Sequence, residues 1–224
     1  LPEFDKFWKN GFQEVLSPKK QTILLEQFRI DPEKNPISTP SGKIEIFSET
    51  VDSFNYEDCP GHPAWLEQEE WLGSNLTKQY PLQLISGQPH NRLHSQLDNG
   101  SESQSYKILG REPIKIHPQD AKTRRLVDGD IVEVFNKRGK CLAGVIVSNE
   151  VMKGVVFLPV GAWYDPINDG EFCIHGNPNV LTEDIGTSSL AQGPSAHSTL
   201  VEIKKYTKQL PQINILHKPN IVNK

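Results

Sequence analysis

From Pro81 onward the chain alternates between apolar and polar positions in short runs. Leu82 and Leu84 flank Gln83, a period of two that predicts a half-buried strand, and Gly87 and Pro89 end it. Ile114 to Ile116, Ile131 to Phe135, Leu142 to Val147, Val155 to Leu158 and Leu200 to Ile203 read the same way. Between the second and third runs, His117-Pro118-Gln119-Asp120 opens a helix, with proline early and an acid in the first turn. It is expected to stop near Val127, where Asp128-Gly129 supplies a turn. Asn136-Lys137-Arg138-Gly139 predicts a hairpin whose glycine can take positive φ. Strands at this regular spacing, with one short helix among them, predict a closed or nearly closed β-barrel.

The first part of the chain has another texture. Phe4, Phe7, Trp8 and Phe12 recur at helical spacing opposite Lys6, Lys9 and Asn10, which predicts a short amphipathic helix with a core-facing aromatic stripe. Asp31-Pro32, Asn35-Pro36 and Thr39-Pro40-Ser41-Gly42 punctuate an extended connection, and Lys43 to Phe47 alternates as a strand. Trp65, Leu66, Glu69 and Leu72 allow about two helical turns. Residues 1–78 are therefore expected to form an irregular connecting arm, the tail of a preceding domain, and residues 79–224 a barrel domain.

Composition narrows the function classes. The formal net charge is −4 with basic residues scattered, so the broad positive field needed for nonspecific nucleic-acid binding is absent. No apolar run approaches the length of a membrane span. Three distant cysteines, Cys59, Cys141 and Cys173, without a C-x-x-C pair, argue against a disulfide framework or a structural zinc site. The chain opens Leu1-Pro2 and shows no signal-like segment, which reads as an excised or C-terminal piece of a longer polypeptide.

The candidate chemistry lies in loops. Ser86-Gly87-Gln88-Pro89-His90-Asn91-Arg92-Leu93-His94-Ser95-Gln96 gathers an arginine, two imidazoles, hydroxyls and carboxamides at the end of a strand. That set suits an anionic, heteroaromatic ligand carrying phosphates, because the guanidinium is a fixed fork of donors and the neutral groups complete a cradle. His90 and His94 have the spacing of a zinc-protease helix, but Asn91 stands where that motif needs glutamate. A second polar stretch runs from Trp163 and Tyr164 through Asn177 and Asn179 to Gln192 and Gly193, a long loop suited to a polar cofactor. No nucleophile elbow, phosphate-binding loop or dinucleotide-binding glycine motif occurs.

Thr39-Pro40-Ser41-Gly42-Lys43-Ile44-Glu45, the Ser86 to Gln96 loop, Ile116-His117-Pro118-Gln119-Asp120-Ala121, Gly129-Asp130-Ile131-Val132 and Gly161-Ala162-Trp163-Tyr164-Asp165-Pro166 together resemble the C-terminal region of the dimethyl sulfoxide reductase family of molybdoenzymes. Arg92-Leu93-His94-Ser95-Gln96, Asn177-Pro178-Asn179 and Ala191-Gln192-Gly193 are most similar to its trimethylamine N-oxide, biotin sulfoxide and methionine sulfoxide reductase branch. The resemblance implies a mainly β fold with short helices, a six-stranded double-psi β-barrel that caps a bis(molybdopterin guanine dinucleotide) molybdenum cofactor. By the same likeness Ser86, Gln88, Arg92, His94, Ser95, Gln96, Asn177, Asn179, Gln192 and Gly193 would be cofactor-binding, with Gln88 standing where some relatives carry histidine. No catalytic residue or metal ligand is expected within the chain, since the family's serine ligand to molybdenum lies outside it. The implied partners are N-terminal domains of the same polypeptide, a small S- or N-oxide and an electron-donor protein such as a c-type cytochrome, in the periplasm or alternatively the cytoplasm. The competing reading is a stand-alone β-barrel that binds a small polar ligand or docks a protein through Phe4 and Trp8.

Overall fold

The computed structural model describes residues 2–15, 21–167, 170 and 172–218. They divide into two compact units, one reaching to Ser53 and including Gly61–Pro63, the other comprising Phe54–Pro60 and everything from Ala64 onward.

The smaller unit holds α1 (Phe4–Asn10), α2 (Glu26–Ile30) and α3 (Glu49–Asp52). Gly11 ends α1 in the left-handed region at φ 79°, its N–H donating to the Phe7 carbonyl. The aromatic stripe of α1, predicted to face a core, is instead open: Phe4 is 68% and Trp8 74% exposed. Two turns of helix place the rings on one face, but no described element of the unit covers that face. Lys43 to Phe47 does not form the expected strand. Thr39 Oγ1 donates to the Lys43 carbonyl and the Ser41 N–H to the Glu45 carboxylate, so short polar side chains occupy groups a ladder would need.

The larger unit contains β1 (Leu82–Ile85), α4 (Ser101–Ser105), β2 (Pro113–Ile116), α5 (Pro118–Thr123), β3 (Ile131–Phe135), β4 (Lys140–Val147), β5 (Val155–Phe157), β6 (Pro166–Ile167), β7 (Phe172–Cys173) and β8 (Leu200–Lys205). Their order is β2-β5-β1-β8-β3-β4-β7-β6, and β4 also pairs with β2. That extra pairing closes β2, β5, β1, β8, β3 and β4 into a six-stranded barrel, from which β7 and β6 extend as a flap. The pairs β1–β5 and β2–β4 are parallel and the other barrel pairs antiparallel, the double-psi arrangement. Closure leaves no free edge on the ring.

Alternating residues fill the barrel. Leu82, Leu84, Ile114, Ile116, Val132, Val134, Val156 and Val201 all lie in one buried cluster. The predicted strands recur within one or two residues of their expected bounds. Helix α5 starts as predicted, with the His117 side chain accepting from the Gln119 N–H, but ends at Thr123 rather than near Val127. Arg125 takes a left-handed φ of 56° and turns the chain away. In the Asn136 to Gly139 hairpin, Asn136 Oδ1 accepts from the Arg138 N–H, and the turn closes without positive φ at Gly139.

Trp65 to Leu72 is not helical. Both indole N–H groups, of Trp65 and Trp71, donate to the Glu67 carboxylate. Glu70 makes a two-pronged pair with Arg138 at 2.6 and 2.8 Å, and the Leu200 N–H also donates to it. The stretch from Asp165 to Pro194, expected as one long loop, contains β6, β7 and a 3-10 turn at Pro178–Val180.

Candidate functional site

Topology brings the polar loops to one rim. Because β1 and β5 are parallel with Ile85 opposite Phe157, the segments after Ser86 and after Leu158 leave from the same end of the barrel. Strand β2 runs antiparallel to β5 with Lys115 opposite Phe157, so Glu112, just ahead of β2, stands at that end too. The Glu112 N–H donates to the His175 carbonyl at 3.1 Å, which adds the segment after β7.

Backbone contacts lace these segments together. The Val160 N–H donates to the Gly87 carbonyl at 3.0 Å, and Trp163 Nε1 donates to the Ser95 carbonyl at 2.7 Å. Gly161 lies at φ 96°, and a Cβ there would overlap the His94 carbonyl. Only glycine permits both the conformation and the approach.

Beneath the loops lies a buried ionic network. Arg92 Nη2 donates to Glu112 Oε1 at 2.9 Å and to the Val160 carbonyl at 2.8 Å, while its Nε is 3.8 Å from Asp98 Oδ1. Lys107 Nζ bridges Asp98 Oδ1 and Glu112 Oε2 at 2.8 and 2.7 Å. The Arg92, Asp98, Lys107 and Glu112 side chains are at most 3% exposed. Two cations face two carboxylates, so the formal charges cancel, the condition for burying charge at tolerable cost. Asp98 Oδ2 also accepts from the Trp163 N–H at 2.9 Å.

His175 completes the network. Its Nδ1 is 3.0 Å from the Trp163 carbonyl, which can only accept, so that nitrogen carries the proton. Burial pushes its pKa below the ordinary imidazole value, and the Lys107 ammonium adds to this against the Trp163 carbonyl and the two carboxylates.

The expected site residues thus fall into distinct settings. Ser86 is buried with its N–H donating to His197 Nδ1. Gln88 donates to the Arg92 carbonyl at 2.8 Å, folding the loop on itself. Arg92 points inward to the carboxylates, whereas His94, Ser95 and Gln96 are exposed, with His94 in the left-handed region at φ 50°. Asn177 joins them through Nδ2, which donates to the Ala162 carbonyl at 2.8 Å, and its Oδ1 caps the turn bearing exposed Asn179. Gln192 and Gly193 belong to a separate hairpin-like loop, where the Thr187 N–H donates to the Gly193 carbonyl and Gln192 Nε2 to the Ser188 carbonyl. A cleft of about 470 Å³ beside this loop is lined by Asp58, Gln68, Thr187 and His197 among others.

Sequence reasoning missed Asp98, Lys107, Glu112 and His175. A charged residue reads as solvated unless its partners are known, and these partners come from four separate segments.

The comparisons with known proteins decide the family. Residues 82–200 match the family described as "Molydopterin dinucleotide binding domain". The chain belongs to this family. Trimethylamine-N-oxide reductase of Haemophilus influenzae is 47% identical over 229 residues, 99% of this chain and 28% of that enzyme. A dimethyl sulfoxide/trimethylamine N-oxide reductase of Rhodobacter capsulatus is 44% identical over 92% of the chain and 26% of its own length. The chain therefore spans about a quarter of the length of the curated relatives it matches. Acetylene hydratase from Pelobacter acetylenicus shares the fold at a TM-score of 0.62 and 20% identity, over 79% of this chain and 25% of that one.

The rim of this molybdopterin dinucleotide-binding domain fits the group its family is named for. Ser86 Oγ, Arg92 Nη1 and His175 Nε2 are buried polar atoms with no partner among the described residues, on the loops that carry His94, Ser95, Gln96 and Asn177. A ligand rich in ring nitrogens and phosphate oxygens offers both acceptors for the first two and donors for the third. Among the described residues, no cluster of three or more histidine, cysteine or acidic groups is arranged to hold a metal ion.

Proposed function

We propose that this chain is the cofactor-capping barrel of a molybdenum oxidoreductase that reduces S- or N-oxides. The observation that carries the reading is the match of residues 82–200 to the dinucleotide-binding family, coinciding with the rim that gathers the Ser86 to Gln96 loop and Asn177. A bis(molybdopterin guanine dinucleotide) molybdenum group, when bound, supplies two-electron oxygen-atom transfer. The chain's own part is to bind and orient. Exposed Gln88, His94, Ser95, Gln96 and Asn179, with half-buried Asn177, present donors and acceptors, while Gln192 and Gly193 hold a more distant portion of an extended ligand. Ser86 closes the loop's origin against the barrel, and Arg92 sets the loop's path from below.

Residues 1–78 serve as the arm from a preceding domain, its last part pinned to the barrel by Glu70. The electron donor is a c-type cytochrome and the compartment the periplasm, a reading supported by resemblance to the N-oxide reductase branch. No helix of the described residues is long and apolar enough to cross a membrane.

The test supplies reduced viologen to the full-length enzyme and compares trimethylamine N-oxide, methionine sulfoxide and biotin sulfoxide with nitrate. Turnover of the oxides supports the reading. Turnover of nitrate alone overturns it.

A further inference from the structure

The exposed cofactor-facing side chains of the Ser86 to Gln96 loop do not fix their own positions. His94 sits in a left-handed conformation that costs a non-glycine residue energy, and it is held by what lies beneath it. That support includes Arg92, the Asp98 carboxylate and the Trp163 backbone, all of which meet the Lys107 and Glu112 side chains or each other.

We propose that Lys107 and Glu112, neither of which lies on the loop, are positioning residues that lock the loop in its cofactor-binding path through charge balance. The inference rests on the cofactor reading above. Lys107 Nζ is 2.8 Å from Asp98 and 2.7 Å from Glu112, and it is 1% exposed. Without its ammonium, two carboxylates share one guanidinium in a water-excluded space, leaving one uncompensated negative charge. The loop and the Trp163 segment are the movable walls of that space, since the strands behind them are closed into the barrel. They open to admit water, and the exposed donors lose their register. Glu112 opposes this from the fixed side: it precedes β2, and its backbone N–H is held by the His175 carbonyl at 3.1 Å.

Charge balance makes a prediction that a packing role does not. Lys107→Met creates the excess charge; Lys107→Met with Glu112→Gln removes it, leaving Arg92 opposite Asp98, and the introduced carboxamide oxygen still accepts from Arg92 Nη2. Molybdenum and guanine nucleotide are counted per purified full-length protein, and amide exchange is followed in β3, β4 and the 86–98 segment. Lys107→Met is expected to lose cofactor about 10-fold or more, the size of loss seen when outer groups that orient a metal's ligands are removed. Loop exchange should rise while β3 and β4 stay protected. The double variant and Lys107→Arg should recover cofactor to within about twofold of wild type, as coupled charges in one network are non-additive. Full retention in Lys107→Met, or no recovery in a folded double variant, overturns the assignment. Should Lys107→Met fail to accumulate, the double variant and Lys107→Arg decide the matter by the same criterion. A wild-type enzyme lacking molybdenum and nucleotide would overturn the cofactor reading itself, and the positioning role with it.

Discussion

Replacing Arg92 by alanine removes a side chain that ties Glu112, ahead of β2, to the Val160 carbonyl, beyond β5. Its guanidinium is fully buried, bonded to Glu112 at 2.9 Å and to the Val160 carbonyl at 2.8 Å, with Asp98 at 3.8 Å. Truncation leaves Asp98 and Glu112 facing Lys107 alone and strands the Val160 carbonyl. Breaking a buried ion pair from one side costs about 3 to 5 kcal/mol, most of it the penalty of the charge left behind. Taking about 4 kcal/mol, against a total stability of about 5 to 15 kcal/mol, the loss is severe. At about 2 to 4 °C per kcal/mol for a domain of this size, Tm should fall by roughly 8 to 16 °C. The assay is thermal and urea unfolding of the chain followed by circular dichroism, with the urea slope checked for constancy. Adding salt should not erase the difference, because buried pairs are poorly screened. A Tm change under about 2 °C, the size expected for an exposed ion pair, would refute the reasoning and place the guanidinium's work outside the network.

His175 gives the chain an acid-sensitive element. Its folded pKa lies below the unfolded value of about 6.5, so between the two the unfolded state binds more protons and stability is lost as pH falls below about 6.5. His175→Gln should flatten that part of the stability-pH curve, and an unchanged slope in chemical denaturation would count against it. Gly161→Ala should destabilise by about 1 to 3 kcal/mol through positive φ, with further loss from overlap with the His94 carbonyl; a neutral effect on the urea midpoint would show that the two loops are not in contact.

How much of this was legible beforehand depends on the range of the interaction. The barrel strands were, because Leu82 and Leu84, or Val132 and Val134, carry their burial in a local period of two. The two-residue strands β6 and β7 have no room for a period, and the pairing of β7 with β4 and of β6 with β7 is a tertiary event. Lys43 to Phe47 alternates as a strand should, yet Thr39 and Ser41 bind its surroundings locally and no described strand pairs with it. The aromatic stripe of α1 was legible as a helix face but not as an uncovered one. At the rim, the loop's place at the end of β1 was readable. Its support was not: Glu112 lies 20 residues from Arg92 and His175 much farther, and only the closed barrel brings them together.

Gln88, His94, Ser95 and Gln96 on this rim are proposed to hold a molybdopterin dinucleotide. The most direct measurement of that role is the molybdenum and guanine nucleotide released per full-length protein, wild type against a variant with Gln88, His94, Ser95 and Gln96 changed together to alanine. These residues are exposed, so the barrel should keep its amide protection in both proteins. A loaded wild type and a variant depleted of both components are expected; equal loading of the two proteins would contradict that role.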